Sequence, residues 1–158
     1  MAADLSEYNR NSKRSLSIWL RLYRSVSTIE RELQTRLSKH FGVSLSRFDV
    51  MSQLDRTEDG LTMGELSDRL LVSNGNVTGL ISRLVDDGLV SREIAPGDRR
   101  SFRVQLTQDG RTSFAKMAQA HESWVTDILG ELDETSAIAL NDNIEQLLTN
   151  TRIRECED

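Results

Sequence analysis

The chain has 158 residues, 37% hydrophobic and 28% charged, with a formal net charge of −5 and a mean hydropathy of −0.44. That length suits one domain with a substantial core. With no apolar run of membrane-spanning length and no apolar signal segment at the start, no membrane partner is expected and the cytoplasm is the expected compartment. A single cysteine, Cys156, excludes an internal disulfide, and the two histidines, His40 and His121, lie far apart without a second ligand at metal spacing.

From about Ser12 to His40, Ile18, Trp19, Leu22, Tyr23, Val26, Ile29, Leu33 and Leu37 recur at three- and four-residue steps, which predicts a long amphipathic helix. Phe41-Gly42-Val43 ends it with a glycine just past the last turn. Ser46 with Asp49 resembles a capping pair for a second helix through Phe48, Val50, Met51 and Leu54, stopping near Asp59-Gly60. Thr62-Met63-Gly64-Glu65 is a capping box, so a third helix follows through Leu66, Leu70 and Leu71.

Val72-Ser73 is a tight turn into a fourth helix capped by Ser73, with Val77, Leu80, Ile81, Leu84 and Val85 expected on one buried face. The opposite face carries Asn76, Thr78, Gly79, Ser82 and Arg83, short donors and acceptors with one arginine. Such a face fits a solvated surface and fits base edges and phosphates in a major groove. Asp87-Gly88-Leu89 is a left-handed helix stop, after which Leu89, Val90 and Ile94 begin one strand and Phe102, Val104 and Leu106 alternate with Arg103 and Gln105 in another. The turn expected between them, Ala95 to Ser101, holds the only proline and the adjacent Arg99 and Arg100. A projecting arginine pair suits a narrow minor groove, and Asp98 pairing with an arginine is compatible with that role.

Helix, short turn, helix, hairpin is the outline of a winged helix-turn-helix. Thr107 caps a further long helix through Phe114, Met117, Trp124, Val125, Ile128 and Leu129, and a last helix runs from about Glu134 to Arg152. The expected fold is mainly α with a small β-hairpin wing. Residues 1–42 and 108–158 form a helical dimerisation region and 43–107 the DNA-binding region, within one continuous compact unit. The end helices carry more apolar surface than the winged core needs, and a second copy of the chain is the simplest cover, a monomer with a helical subdomain being the alternative. A two-fold pair presents two reading helices roughly 34 Å apart and so calls for a near-palindromic DNA site.

Acidity does not oppose that reading, because it is unevenly spread. Residues 10–39 hold eight Lys/Arg against two Glu, and residues 69–111 hold seven Arg against five acids. Residues 112–158 hold three basic residues against ten acidic ones. No Gly-rich phosphate loop, nucleophile–base–acid set or metal cluster appears, so neither an enzyme nor a cofactor is expected. A winged-helix module that binds protein is the competing reading, and it has no need of arginines at the wing tip.

Leu66-Ser67-Asp68-Arg69-Leu70, Val77 to Leu84, Gly88-Leu89-Val90, Asp98-Arg99-Arg100, Leu106-Thr107 and Gly110 together resemble the MarR family of bacterial winged helix-turn-helix regulators. The resemblance implies a homodimer that binds operator DNA, usually as a repressor, and releases it to a small molecule held between the dimerisation helices and the winged domain. The implied DNA-facing residues are Ser73, Asn74, Asn76, Thr78, Ser82 and Arg83, with Arg99 or Arg100 entering the minor groove and Asp98 orienting a wing arginine. The first helix lacks the cysteine of the family's peroxide sensors, which disfavours oxidant sensing. Val72 to Leu80 resembles the subgroup responding to aromatic acids or their coenzyme A thioesters. Trp19, Tyr23, Phe48, Met51, Phe114, His121 and Trp124 are candidates to line an aromatic slot, with Arg21, Arg24, Arg31 and Arg36 to meet a polyanion. The apolar members also fit core positions, and the arginines solvated ones.

Overall fold

The computed structural model describes the backbone of residues 2–70, 74–95 and 98–155, and the side chains of residues 12–70, 75–93 and 102–150. The expected cap at Ser73, the Pro96-Gly97 turn and Cys156 lie outside the described residues, as do the side chains of Asn74, Asp98, Arg99 and Arg100. The chain is mostly helical: α1 (Ala2–Phe41), α2 (Leu45–Asp55), β1 (Leu61–Thr62), α3 (Met63–Leu70), α4 (Asn74–Asp86), β2 (Val90–Ala95), β3 (Asp98–Leu106), α5 (Gln108–Leu129) and α6 (Glu134–Glu155). It divides into two compact units, Met1–His121 and Glu122–Asp158.

In the first unit, the three- and four-residue apolar steps turn into burial where other elements cover them. Leu33 and Leu37 near the end of α1, Val50, Met51 and Leu54 of α2, and Leu66 of α3 are all buried. Val77, Ile81 and Leu84 of α4, Val90, Val104 and Leu106 of the strands, and Phe114 and Met117 of α5 are buried with them. Each such side chain contributes about 1.5–3 kcal/mol through apolar area removed from water. α1 extends ten residues further toward the N-terminus than its apolar period indicates. It ends as expected, at Gly42, whose φ of 68° is open to glycine and whose N–H donates to the Ser38 carbonyl at 3.0 Å.

Two local expectations are corrected. The cap of α2 is Ser44, not Ser46: its Oγ accepts from the Arg47 N–H at 3.3 Å, and the Leu45 N–H is taken by Gln34 Oε1 of α1 at 2.8 Å. With those orphan donors satisfied two residues earlier, the helix begins earlier, and Asp49 is left half-buried inside it. Burial, reinforced by the like charge of Glu30, holds its carboxyl above the usual range. In α4, Val85 is 37% exposed and Leu80 half-buried, so the buried stripe narrows to Val77, Ile81 and Leu84.

The sheet has three antiparallel strands in the order β1-β3-β2. β1 was not evident from sequence, since two residues, Leu61↔Val104 and Thr62↔Arg103, make the pairing. The capping box expected at Thr62 is present: Glu65 Oε2 accepts from the Thr62 N–H at 2.7 Å and its Oγ1–H at 2.9 Å, and the Glu65 N–H donates to Thr62 Oγ1 at 3.2 Å. Those bonds hold the Glu65 carboxyl below its ordinary value.

The second unit holds the end of α5 and all of α6. Asp133 caps α6, its carboxylate accepting the Ser136 N–H and Oγ–H at 2.9 Å each, which lowers its pKa. Ile138, Leu140, Ile144, Leu147 and Leu148 are all exposed in the single chain.

Candidate nucleic-acid interface

The reading helix is fixed by what it buries. Val77, Ile81 and Leu84 anchor α4 in the core, which turns Asn76, Thr78, Gly79, Ser82 and Arg83 outward, all exposed. Ser82 Oγ–H donates to the Thr78 carbonyl at 3.0 Å, so outward it offers lone pairs and suits a base amino group. Ser46, Gly75, Asn76, Gly79, Leu80 and Arg83 line a shallow groove of about 340 Å³ on this face. Ser46, expected as a helix cap, instead stands exposed in α2 and lines this groove, a place no local pattern indicates.

The two ends of α4 are held differently. Residues 71–73, before it, are outside the described residues. At the far end, Gly88 adopts φ 71°, its N–H donates to the Val85 carbonyl and the Leu89 N–H to the Leu84 carbonyl, both at 2.9 Å. Arg47, mostly buried on α2, forms an ion pair with Asp87 at this stop. Thr107 then ties the return strand to the same place: its N–H donates to the Leu89 carbonyl at 3.1 Å and its Oγ1–H to the Gly88 carbonyl at 2.8 Å. The same Oγ1 accepts the Gly110 N–H at 2.9 Å, capping α5 as expected.

The wing is the β2–β3 hairpin, paired from Val90↔Leu106 to Ile94↔Phe102 and again at Ala95↔Asp98, with a register shift between Ile94 and Ala95. The broad turn expected over Ala95–Ser101 is corrected: Arg99 and Arg100 lie on β3, in the irregular stretch between Asp98 and Phe102. The ladder continues past the bulge because backbone groups there still find partners across the strands. At the base, one guanidinium nitrogen of Arg103 donates to the carbonyls of Asp59 and Gly60 at 3.2 and 3.0 Å, clamping the hairpin to the loop before β1.

The residues proposed for an effector fall in different places. Phe48, Met51 and Phe114 are buried, and the Phe48 ring stacks on His121 at 4.6 Å and tilts against Phe114 at 5.5 Å. Burial lowers the His121 pKa, which favours its neutral form. Trp19 and Tyr23, 6.1 Å apart, are 60% and 59% exposed on α1. Arg24 lines an open groove of about 380 Å³ with Lys13, Leu16, Ser17, Leu20 and Arg21. Trp124 is half-buried in the unit Glu122–Asp158. Among the described residues, no group of three His, Cys, Asp or Glu is arranged for a metal, and no helix is long and apolar enough to cross a membrane.

The geometry agrees with known proteins. The model of the MarR family matches residues 41–101. The HTH-type transcriptional regulator PecS of Dickeya dadantii is 30% identical over 78% of this chain and 77% of its own length. The transcriptional activatory protein BadR of Rhodopseudomonas palustris is 31% identical over 72% of this chain and 66% of its own length. A crystal structure of a MarR family transcriptional regulator from Silicibacter pomeroyi superposes with a TM-score of 0.78 and 32% identity, covering 89% of this chain and 97% of that one. With helix-turn-helix, wing and sequence in agreement, the chain belongs to the MarR family of winged-helix, DNA-binding transcriptional regulators.

Proposed function

We propose that this chain works as a homodimeric repressor that holds a near-palindromic operator and lets it go when a small organic effector binds. The observation that carries the DNA reading is the outward set Asn76, Thr78, Ser82 and Arg83 on a helix anchored beside an arginine-bearing hairpin. Ser73, Asn74, Arg99 and Arg100 extend the contact set, and Asp98 orients a wing arginine, since a carboxylate is repelled by phosphate. The dimer rests on apolar side chains left in water: Leu16, Trp19, Tyr23 and Val26 on α1, and Ile138, Leu147 and Leu148 on α6. Two stripes of that size need cover, and residues 1–42 and 108–158 provide it in a two-fold pair. Such a regulator works beside the chromosome, in the cytoplasm.

The decisive experiment is a gel shift with DNA flanking the protein's own gene, paired with light scattering for the oligomer. Nanomolar-range binding by a dimer, weakening steeply with salt, is expected. No retardation at micromolar protein refutes the operator, and a monomer refutes the pair. Replacing Arg99 and Arg100 by Ala weakens binding, and unchanged affinity refutes the role given to the wing. The direction of control is read from a reporter: loss of the protein raises transcription from the flanking promoter for a repressor and lowers it for an activator, the role named for BadR.

For the effector, the neutral His121 stacked on Phe48 next to Phe114 supports an aromatic ligand at that end of α5, and the basic groove on α1 supports an anionic portion such as a coenzyme A thioester. Trp19, Tyr23 and Met51, in the same unit as His121, are further candidates for contact with that ligand. Differential scanning fluorimetry with p-coumaroyl-CoA and with free p-coumarate tests it. A thermal shift with neither rejects this ligand class.

A further inference from the structure

We infer that Arg92, on β2, is a DNA-phosphate contact of the wing, held ready by the ring of Phe102. The inference rests on the operator-binding reading above. Register puts Val90 and Arg92 opposite Leu106 and Val104, with Phe102 two residues before Val104 on β3, so these five residues share one face of the hairpin. Toward the root of the hairpin that face is core: Val90, Val104 and Leu106 are buried. Toward the tip it emerges, with Arg92 exposed and Phe102 37% exposed. Arg92 therefore stands between the anchored root and the Arg99-Arg100 stretch, on the hairpin face continuous with the buried one.

Its guanidinium carbon lies 4.2 Å from the centre of the Phe102 ring. A guanidinium placed over an aromatic ring is attracted by the ring's negative face. That attraction needs none of the guanidinium's N–H donors as a hydrogen bond. The ring carries no net charge, so it fixes the arginine without neutralising it. The nearby carboxylate of Glu93 belongs to the other face and accepts from Gln105 Nε2 at 3.2 Å. A charged guanidinium held over a ring, with no carboxylate partner among the described residues, is the form in which arginine recognises phosphate oxygens. It also accounts for an apolar ring exposed on the wing.

The test is fluorescence anisotropy on the full-length protein with a duplex from the region upstream of its gene and a random duplex of equal length, each at two salt concentrations fourfold apart. R92Q binds both duplexes more weakly than wild type and loses less affinity as salt rises. The difference is roughly 3.5-fold per phosphate contact, or about 12-fold for two copies, from the slope of about 0.9 per neutralised phosphate. R92K restores the salt dependence. F102L keeps the charge and so the salt dependence, but binds more weakly because the arginine is no longer held. R92Q with wild-type salt dependence overturns this inference and leaves the operator reading standing. A wild type that binds neither duplex overturns the operator reading, and this inference with it.

Discussion

Gly110→Ala sets two physical rules against each other. Gly110 is the third residue of α5, where helix propensity alone says that alanine stabilises by about 1 kcal/mol. The structure reverses the sign. A methyl group there would overlap the carbonyl oxygen of Leu89 and lie 2.9 Å from its carbon, both backbone atoms that cannot rotate away as a side chain does. Relief requires α5 to back off or the Leu89 peptide to turn, and turning it loses the bond from the Thr107 N–H. Overpacking of this kind costs about 1–3 kcal/mol and the lost bond about 1 kcal/mol more. Set against the propensity gain, the net destabilisation is about 1–3 kcal/mol, or roughly 2–12 °C in melting temperature for a chain of this size. Urea unfolding followed by circular dichroism, checked by a thermal melt, measures it. A variant as stable as wild type, or more so, refutes the reasoning.

Gly79→Ala is the opposite case, since nothing lies within 4 Å of a methyl placed there and α4 gains propensity. It raises stability by about 0.5–1 kcal/mol in the same unfolding assay while lowering operator affinity in a gel shift, because the methyl enters the groove on the reading face. Thr62→Ala breaks the capping box and costs about 1 kcal/mol. In wild type the Glu65 carboxyl is held below its ordinary 4.5, so its stabilisation is full above that pH and lost as pH falls through the lowered folded value. Acid titration of stability tests this: T62A has the shallower acid limb. His121 behaves in the reverse sense. Its folded pKa lies below the ordinary 6.5, so the unfolded chain takes the proton first, and stability declines as pH falls from about 6.5 toward the folded value. His121→Phe removes that component of the decline, measured by urea unfolding across the pH series.

What sequence could supply follows the range of the interactions. The box at Thr62, the stop at Gly88 and the cap at Thr107 depend on partners that short motifs anticipate, and each is where the pattern puts it. The start of α2 depends on Gln34, eleven residues upstream on another helix, and so the choice between Ser44 and Ser46 could not be made locally. β1 exists only because β3 is beside it. The α4 period alone cannot distinguish Val85 from Val77, since exposure is decided by which elements cover each side. On the candidate interface, the polar set of α4 was legible because its apolar counterpart was. Arg92 and Phe102 were not, because their pairing requires the strand register and the point where the hairpin clears the core.

Thr107 touches the end of α4, the root of the hairpin and the first turn of α5 within one side chain and one backbone N–H. Reader, wing and support therefore have no joint between them at this corner. Under the effector response proposed above, a displacement of the first turn of α5 reaches the end of α4 and the hairpin through this one residue.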